Sequence, residues 1–234
     1  MKRFLSFACA ALCCMVMNAQ LVTSRSVSTI ETPKPVVQKE SKTTWMFKIG
    51  MATNNFVGDG MDDDASAKVG YTFGFEFNRK IRQKGAYWGM DFLFGSRGFK
   101  YSASEDNWEF VQKLKTHNFQ WSPFTFGWKI DLTDKIAIDP HVGFFMSVDY
   151  AGKETYSYGY DGDKEKEEIG IYDEEFGDYM PLDLGMKFGV GIWFNKKFNL
   201  DLTYQRGFVD PFDYQDDDYT VATSNFLIRL GYAF

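Results

Sequence analysis

The sequence predicts an all-β fold: an antiparallel up-and-down β-barrel of about eight strands that spans a membrane around a polar, plugged interior. Three observations predict it. Large apolar side chains alternate with small or polar ones in many segments, aromatic residues form 18% of the 234 residues, and short connections alternate with long polar ones. No run reaches the roughly 18 apolar residues that a membrane-spanning helix needs, so strands would have to cross the bilayer.

The first 19 residues have the three parts of a secretory signal peptide. Lys2 and Arg3 are basic, an apolar run follows from residue 4 to 17, and Ala19 is the small residue before the expected cleavage point. The apolar run is too short to span a bilayer as a helix. We therefore expect residues 1–19 to be a signal peptide and the protein to be exported.

All three cysteines of the chain, Cys9, Cys13 and Cys14, fall inside this signal. The exported chain would then have no thiol for a disulfide, a metal or a nucleophile. A lipoprotein attached through Cys13 or Cys14 is the alternative, although the preceding residues match that signal poorly. Residues 20–43 are rich in Ser, Thr, Pro and Lys without a period, which predicts a flexible periplasmic leader, and residues 44–234 would form the barrel.

Period-two alternation marks each predicted strand, with Phe, Trp, Tyr, Leu and Ile on one face and Gly, Thr, Ser or charged residues on the other. The phase slips at Pro123, because Phe119 and Trp121 are odd-numbered and Phe124 is even-numbered, so we expect a β-bulge there. Pro140 predicts a second bulge or an edge irregularity. The alternating segments are 45–51, 71–77, 88–94, 119–130, 136–149, 182–194, 198–205 and 225–234.

The connections between these segments differ in length in a regular way. Outer-membrane barrels have short periplasmic turns and long extracellular loops, with an even number of strands. The predicted short turns lie near 82–85, 132–134 and 195–196, and the predicted long loops run over 54–68, 102–113, 152–178 and 209–223.

The alternation alone also fits a soluble lipid-carrying barrel with its apolar face inward. A barrel of about eight strands has an interior just wide enough for side chains, so it could not hold rows of aromatic residues from every strand. The opposite face has charges of both signs, which must pair if they are buried. The polar face should therefore line a plugged lumen, whose charged and polar candidates are Lys48, Glu76, Asp91, Arg97, Lys129, Asp139, His141, Asp149, Asp183, Lys187, Asp201 and Arg229.

The proposed lipid face has no charged residue at a strand centre, where a basic residue would cost about 2–4 kcal/mol. Tryptophan and tyrosine near the strand ends would form the interfacial belts. These belt candidates are Trp45, Tyr71, Trp88, Trp128, Tyr204 and Tyr232.

Short motifs from Ala86 to Phe234 carry a family resemblance. They comprise the segments 89–93, 97–98, 183–185 and 202–207, the glycines Gly143, Gly189 and Gly191, and the final segment 230–234. With these motifs the chain resembles the PorT-like outer-membrane β-barrel family. The resemblance implies an outer-membrane barrel of about eight strands, and some relatives belong to a protein-secretion apparatus. The last strand is also similar to the assembly signal that the barrel-insertion machinery reads, here Phe226, Ile228, Leu230, Tyr232 and Phe234.

Chemistry is sparse in this chain. The net charge of -6 and the lack of a basic stripe argue against nucleic acid as a partner. Of the two histidines, His117 could join Ser102, Ser104 and Glu105 in a hydrolase site at the barrel rim, but such partners occur by chance in polar loops. His141 is expected to be a luminal residue.

The loops offer two further hypotheses. Acidic clusters suggest Ca²⁺ or bridging to lipopolysaccharide, although no EF-hand spacing is present. Loop aromatics suggest a recognition surface or loops that pack on themselves. The acidic clusters are 62–64, 161–163 and 216–218, and the aromatics are Tyr156, Tyr158, Tyr160, Tyr172, Phe212 and Tyr214.

These observations favour a non-enzymatic barrel of the outer membrane, with a structural or partner-binding role through its long loops and no cofactor. The expected partners are outer-membrane lipid and lipopolysaccharide, the barrel-insertion machinery and an envelope protein. A narrow pore is the first alternative, and a rim hydrolase is the second.

Overall fold

A computed structural model describes residues 42–58, 66–81, 85–105, 108–160, 163–174, 179–212 and 221–234. The expected signal peptide, nearly all of the expected leader and the acidic clusters 62–64 and 216–218 lie outside these ranges. The strands are β1 (Thr43–Val57), β2 (Ser66–Lys80), β3 (Ala86–Arg97), β4 (Phe99–Glu105), β5 (Trp108–Trp128), β6 (Ile130–Asp131), β7 (Ile136–Tyr160), β8 (Asp163–Gly170), β9 (Leu182–Phe194), β10 (Phe198–Gly207) and β11 (Ala222–Ala233).

Eight of these strands form a closed antiparallel ring, in the order β1, β2, β3, β5, β7, β9, β10, β11. β11 pairs with β1 from Met46 opposite Ala233 to Val57 opposite Ala222, which closes the sheet and leaves no free edge in the ring. The other three strands extend this ring: β4 pairs with β5 and β2, β6 pairs with β7, and β8 pairs with β7. The predicted fold class is confirmed.

The two proline predictions have different outcomes. The β5–β7 register shifts between Trp121 and Phe124, so the bulge predicted at Pro123 is confirmed. At Pro140 the residue pairs in register with Val190 of β9, and no residue is inserted. On the other side of β7, the pairing with β5 ends before Pro140 and resumes beyond it with β6, because proline has no N–H to donate. A bulge at Pro140 was therefore the wrong alternative.

The apolar face of the ring points outward. Phe124 and Phe144 are 52% and 53% exposed, whereas luminal Arg229 is 1% exposed. An exposed apolar face on every strand of the ring requires a lipid environment. The alternative of a soluble lipid-carrying barrel with its apolar face inward is therefore excluded. The described residues contain no helix that is long and apolar enough to cross a membrane.

The predicted long loops are shorter than expected, because two of them are β-hairpins. β5 has 21 residues and β7 has 25, so both strands continue well past the apolar band. With β4 and β8 they build a four-stranded sheet in the order β4, β5, β7, β8. Beyond the bilayer a strand needs no apolar outer face, so the alternation used to find strands is lost there. We call this part the projecting sheet: β4, residues 108–117, residues 151–160 and β8.

The predicted turns at the opposite end are short, as expected. Asn195 and Lys196 have φ values of 50° and 60°, in the left-handed region, and Lys197 N donates a hydrogen bond to the Phe194 carbonyl at 3.1 Å, so residues 195–197 form a tight three-residue turn. This turn joins β9 to β10, with Phe194 directly opposite Phe198.

Candidate functional site

The centre of the lumen is an ionic cluster assembled from five strands. Lys48 Nζ lies 2.5 Å from Glu76 Oε2 and 2.7 Å from Asp201 Oδ2. Arg229 Nη2 lies 2.7 Å from Asp201 Oδ1, and His141 Nε2 lies 3.7 Å from Asp201 Oδ2. Asp201 therefore joins β1, β7 and β11 through its two oxygens.

Two further groups of ion pairs cross the lumen. Lys187 of β9 pairs with Asp91 of β3, on the opposite wall. Towards the projecting sheet, Arg97 Nε lies 3.0 Å from Asp149 Oδ1, and Arg97 Nη1 lies 2.7 Å from Asp183 Oδ2. These side chains are buried, so each pair holds two strands that are not neighbours in the ring.

Asp139 and Lys129 are placed differently from the other expected luminal charges. Asp139 Oδ2 accepts hydrogen bonds from the Tyr87 hydroxyl at 3.1 Å and from Trp193 Nε1 at 3.0 Å. Lys129 Nζ lies over the Trp193 ring, 3.3 Å from its centroid. Neither residue forms an ion pair within 4.0 Å in the described part of the chain. Lys129 follows β5 at the end of the barrel with the short turns, where its ammonium group lies against an aromatic ring instead of a carboxylate.

Apolar layers close the lumen at both ends, although the alternation pattern predicts a polar interior. At the turn end the layer contains Met46, Ala137, Trp193 and Ala233. Below the projecting sheet a second layer contains Phe56, Phe99, Leu114, Ile171 and Val221, with Tyr101, Tyr179 and Phe212 packed against it. The alternation pattern placed only Trp193 and Ala233 of these residues on the inward face, because the other members lie near strand ends or in connections.

Tyr179 links the upper apolar layer to the ion pairs. Its hydroxyl donates a hydrogen bond to Asp149 Oδ2, and its ring lies 5.8 Å from that of Phe212. Burial and the Asp149 carboxylate raise the pKa of the Tyr179 phenol well above its ordinary range. The phenol is therefore a permanent hydrogen-bond donor in this position.

The space left in the lumen is small. A cavity of about 20 Å³ lies between residues that include Asn54, Thr72, Arg97, Gln120 and Asn225. That volume holds about one water molecule. Together with the buried ion pairs and the two apolar layers, this indicates that side chains fill the lumen in the described part of the barrel.

The projecting sheet has an aromatic face. The Phe110 ring lies 5.3 to 6.3 Å from the rings of Tyr101, Tyr156 and Tyr158, and Trp108 stacks on it at 6.0 Å. Neighbouring Tyr160 pairs directly opposite Trp108 and is 69% exposed. Of the other loop aromatics, Tyr172 donates to the Asp149 carbonyl, Phe212 belongs to the upper apolar layer, and Tyr214 lies outside the described residues.

The structure does not assemble the candidate hydrolase site. His117 Nδ1 lies 2.9 Å from the Tyr71 hydroxyl, and its ring lies between those of Tyr71 and Tyr150 on the outer surface. Ser102 pairs opposite Val111, six residues from His117 along β5, which is roughly 20 Å at 3.4 Å per residue. Among the described residues no group of three or more His, Cys, Asp or Glu is placed to hold a metal ion.

A family model described as the outer membrane protein beta-barrel domain matches residues 18–213, well over half of the chain. The chain belongs to this family. As a member of the outer membrane protein beta-barrel domain family it resides in the cell outer membrane, so the short turns face the periplasm and the projecting sheet faces the exterior.

Solved barrels give more distant similarities. Ail, the attachment invasion locus protein of Yersinia pestis, is 16% identical, with 83% of this chain and 100% of that chain covered and a TM-score of 0.36. Neisserial surface protein A is 11% identical over 83% of this chain and 98% of that chain, with a TM-score of 0.39. OprG from Pseudomonas aeruginosa is 13% identical over 82% and 95%, with a TM-score of 0.35. No curated protein matches this chain.

Proposed function

We propose that this protein is a non-enzymatic outer-membrane barrel that binds an envelope or cell-surface protein through its projecting sheet, while its lumen serves only stability. The observation that carries the proposal is the exposed aromatic face around Phe110. Trp108 and Tyr158 are each 43% exposed there, although they pack against neighbouring rings. Rigid aromatic side chains supply contact area at low entropic cost, which is why they are enriched in binding surfaces.

The acidic border of this face supports a partner with a basic contact surface. Tyr158 pairs opposite Glu165, and Tyr156 pairs opposite Glu167, so both carboxylates lie beside the aromatic rings. Both glutamates are exposed, and neither forms an ion pair within the part of the chain that is described. A secretion-associated role, as in some PorT-like relatives, belongs to the same proposal, because such a partner would be another envelope component.

Site-specific photo-crosslinking in intact cells tests the proposal. A photoreactive residue at Tyr160 should trap a protein partner, whereas the same residue at Leu132, in a periplasmic turn, should not trap that partner. Adding Trp108→Ser and Tyr158→Ser should abolish the crosslink without changing the heat-dependent gel mobility of the barrel. An undiminished crosslink in the double variant, or no crosslink at Tyr160, would contradict partner binding through this face.

The pore alternative is tested separately by planar-bilayer recording. Because buried ion pairs cross the lumen and the cavity between Arg97, Gln120 and Asn225 has only about 20 Å³, we expect no discrete conductance steps from the purified barrel. Reproducible steps from protein of confirmed heat-dependent mobility would revive the narrow pore and contradict a purely structural lumen.

A further inference from the structure

The outward face of the projecting sheet is basic, in contrast to its aromatic face. Lys113 lies directly opposite Lys100 of β4, and Lys115 lies directly opposite Lys153 of β7. Like charges in directly opposite positions on one face of a sheet are destabilising. Lys153 is compensated by an ion pair with Glu168, but the directly opposed Lys100 and Lys113 have no carboxylate partner among the described residues.

Carboxylates form ion pairs with three other lysines of this face, namely Lys153, Lys164 and Lys166. Glu168 lies 2.5 Å from Lys153 and also pairs with Lys166, and Glu109 lies 3.0 Å from Lys164. Lys100, Lys113 and Lys115 are exposed and form no ion pair with any described residue. We call these three the membrane-proximal lysines.

An aromatic belt marks the height of these lysines above the bilayer. His117 contacts Tyr71 and Tyr150 on the outer surface, where the outward residues of β5 change from apolar to charged. Tyrosine at this position is typical of the membrane–water interface. Lys115 and Lys113 precede His117 by two and four residues, roughly 7 and 14 Å along a tilted strand towards the projecting sheet. They therefore lie at the level of the lipid headgroups.

We propose that Lys100, Lys113 and Lys115 form a binding site for the phosphate groups of lipid A, the phosphorylated glycolipid headgroup of the outer leaflet. Three observations support lipid A phosphate as the ligand of this site. The site is cationic, it lies on the same outward face as the lipid-exposed residues Phe119 and Trp121 below it, and the belt places it at headgroup height. A phosphate between facing lysines would replace their repulsion by charge-assisted hydrogen bonds.

Native mass spectrometry of the full-length barrel in detergent tests the site with defined probes: diphosphorylated lipid A, its monophosphoryl form and inorganic phosphate. The wild type should bind the diphosphorylated form most tightly. Lys113→Gln with Lys115→Gln should weaken that binding roughly thirtyfold, because each lysine near an anionic lipid surface contributes about a fivefold factor. Lys113→Arg with Lys115→Arg should retain it.

Lys164→Gln with Lys166→Gln is the matched control, since it removes two lysines from the same face at positions that are paired with glutamates. This control should bind lipid A like the wild type. The proposal is overturned if the control and the Lys113/Lys115 double variant lose equal affinity, if the double variant loses none, or if monophosphoryl lipid A binds as tightly as the diphosphorylated form. Competition by inorganic phosphate at equal concentration would indicate a free-anion site and would also overturn it.

Because these substitutions lie on the face opposite the aromatic one, the photo-crosslink at Tyr160 should survive in the Lys113/Lys115 double variant. The lipid site and the partner-binding face can therefore fail independently. Unchanged heat-dependent mobility of each variant shows that the barrel itself is folded.

Discussion

Arg229 and Asp201 form an ion pair inside the barrel, with Nη2 2.7 Å from Oδ1 and both side chains 1% exposed. Arg229 Nε also donates to the same oxygen at 3.0 Å, so the contact links β11 to β10 through two donors. The second carboxylate oxygen of Asp201 accepts from Lys48, on the other side of the β1–β11 closure. One buried carboxylate thus pairs with a cation from each of the two strands that close the ring, and Glu76 supplies the second negative charge beside Lys48.

The first prediction concerns this shared carboxylate. Asp201→Asn should lower the free energy of unfolding by about 3–5 kcal/mol, because it removes the carboxylate that pairs with buried Arg229, whereas Lys48 keeps Glu76. The change should be measured by the heat-dependent gel mobility shift across a urea series in detergent. Asp131→Asn, at an exposed position of β6, should change stability by less than about 0.5 kcal/mol. Equal effects of the two substitutions would mean that the central cluster contributes nothing specific.

The second prediction concerns the apolar layer beneath the projecting sheet. Leu114 is fully buried there, so Leu114→Ala should cost about 2–5 kcal/mol through lost transfer energy and the cavity left behind. Exposed Leu132→Ala removes the same atoms and serves as the control. The same urea series measures both, and a Leu114→Ala variant as stable as Leu132→Ala would refute the packed cap.

The third prediction concerns pH in the projecting sheet. Hydrogen bonds from Lys153 and Lys166 lower the pKa of Glu168 from 4.5 to about 2. Because the folded pKa is depressed, this pairing stabilises the β7–β8 hairpin above about pH 4.5, and its contribution is lost as pH falls towards 2. The effect should be small, since the pair is exposed and screened.

Amide hydrogen exchange over residues 153–170 measures this contribution. The protection lost in Glu168→Gln relative to the wild type should be present at pH 7 and should shrink between pH 4.5 and 2. Glu165→Gln, with no ion pair in the described chain, should lose little at any pH. A Glu168→Gln deficit that is equally large at pH 2 would show that the charge is not responsible.

The fourth prediction concerns assembly through the outer face of β11. Phe226, Ile228, Leu230, Tyr232 and Phe234 are all exposed to lipid. If the insertion machinery reads this face, Tyr232→Ser with Phe234→Ser should reduce the amount of heat-modifiable protein in the outer membrane. Phe194→Ser with Phe198→Ser is a control at similar depth, because Phe198 pairs opposite both Tyr232 and Phe194. Equal losses would attribute the effect to the lipid face in general.

Period two could be read from the chain wherever a strand has lipid on one side and lumen on the other. Around Phe73 or Phe144 the lipid and the lumen differ so strongly that the polarity of each side chain shows which of the two it faces. The bulge at Pro123 could be predicted because this alternation changes phase there. The rule fails for the projecting sheet. Residues such as Lys113 and Tyr158 have water near both faces, so nothing in their alternation separates a strand from a loop.

Single-sequence reasoning also could not assign partners within the lumen. Parity places Lys48, Asp91, Lys187 and Asp201 inside, but which cation meets which carboxylate depends on the stagger of the strands around the closed ring. That stagger places Lys187 of β9 opposite Asp91 of β3 across the lumen, with β5 and β7 between the two strands. It also places Lys129 over the ring of Trp193.

By itself, then, the sequence determined that the chain forms a membrane barrel with its apolar face outward, because alternation and side-chain size are local properties that any register preserves. Only the tertiary structure decided how the lumen is filled and where the surface can bind. Ion pairs such as Arg97 with Asp183, the apolar caps, and the opposition of Lys113 to Lys100 depend on distances between strands that are far apart in sequence.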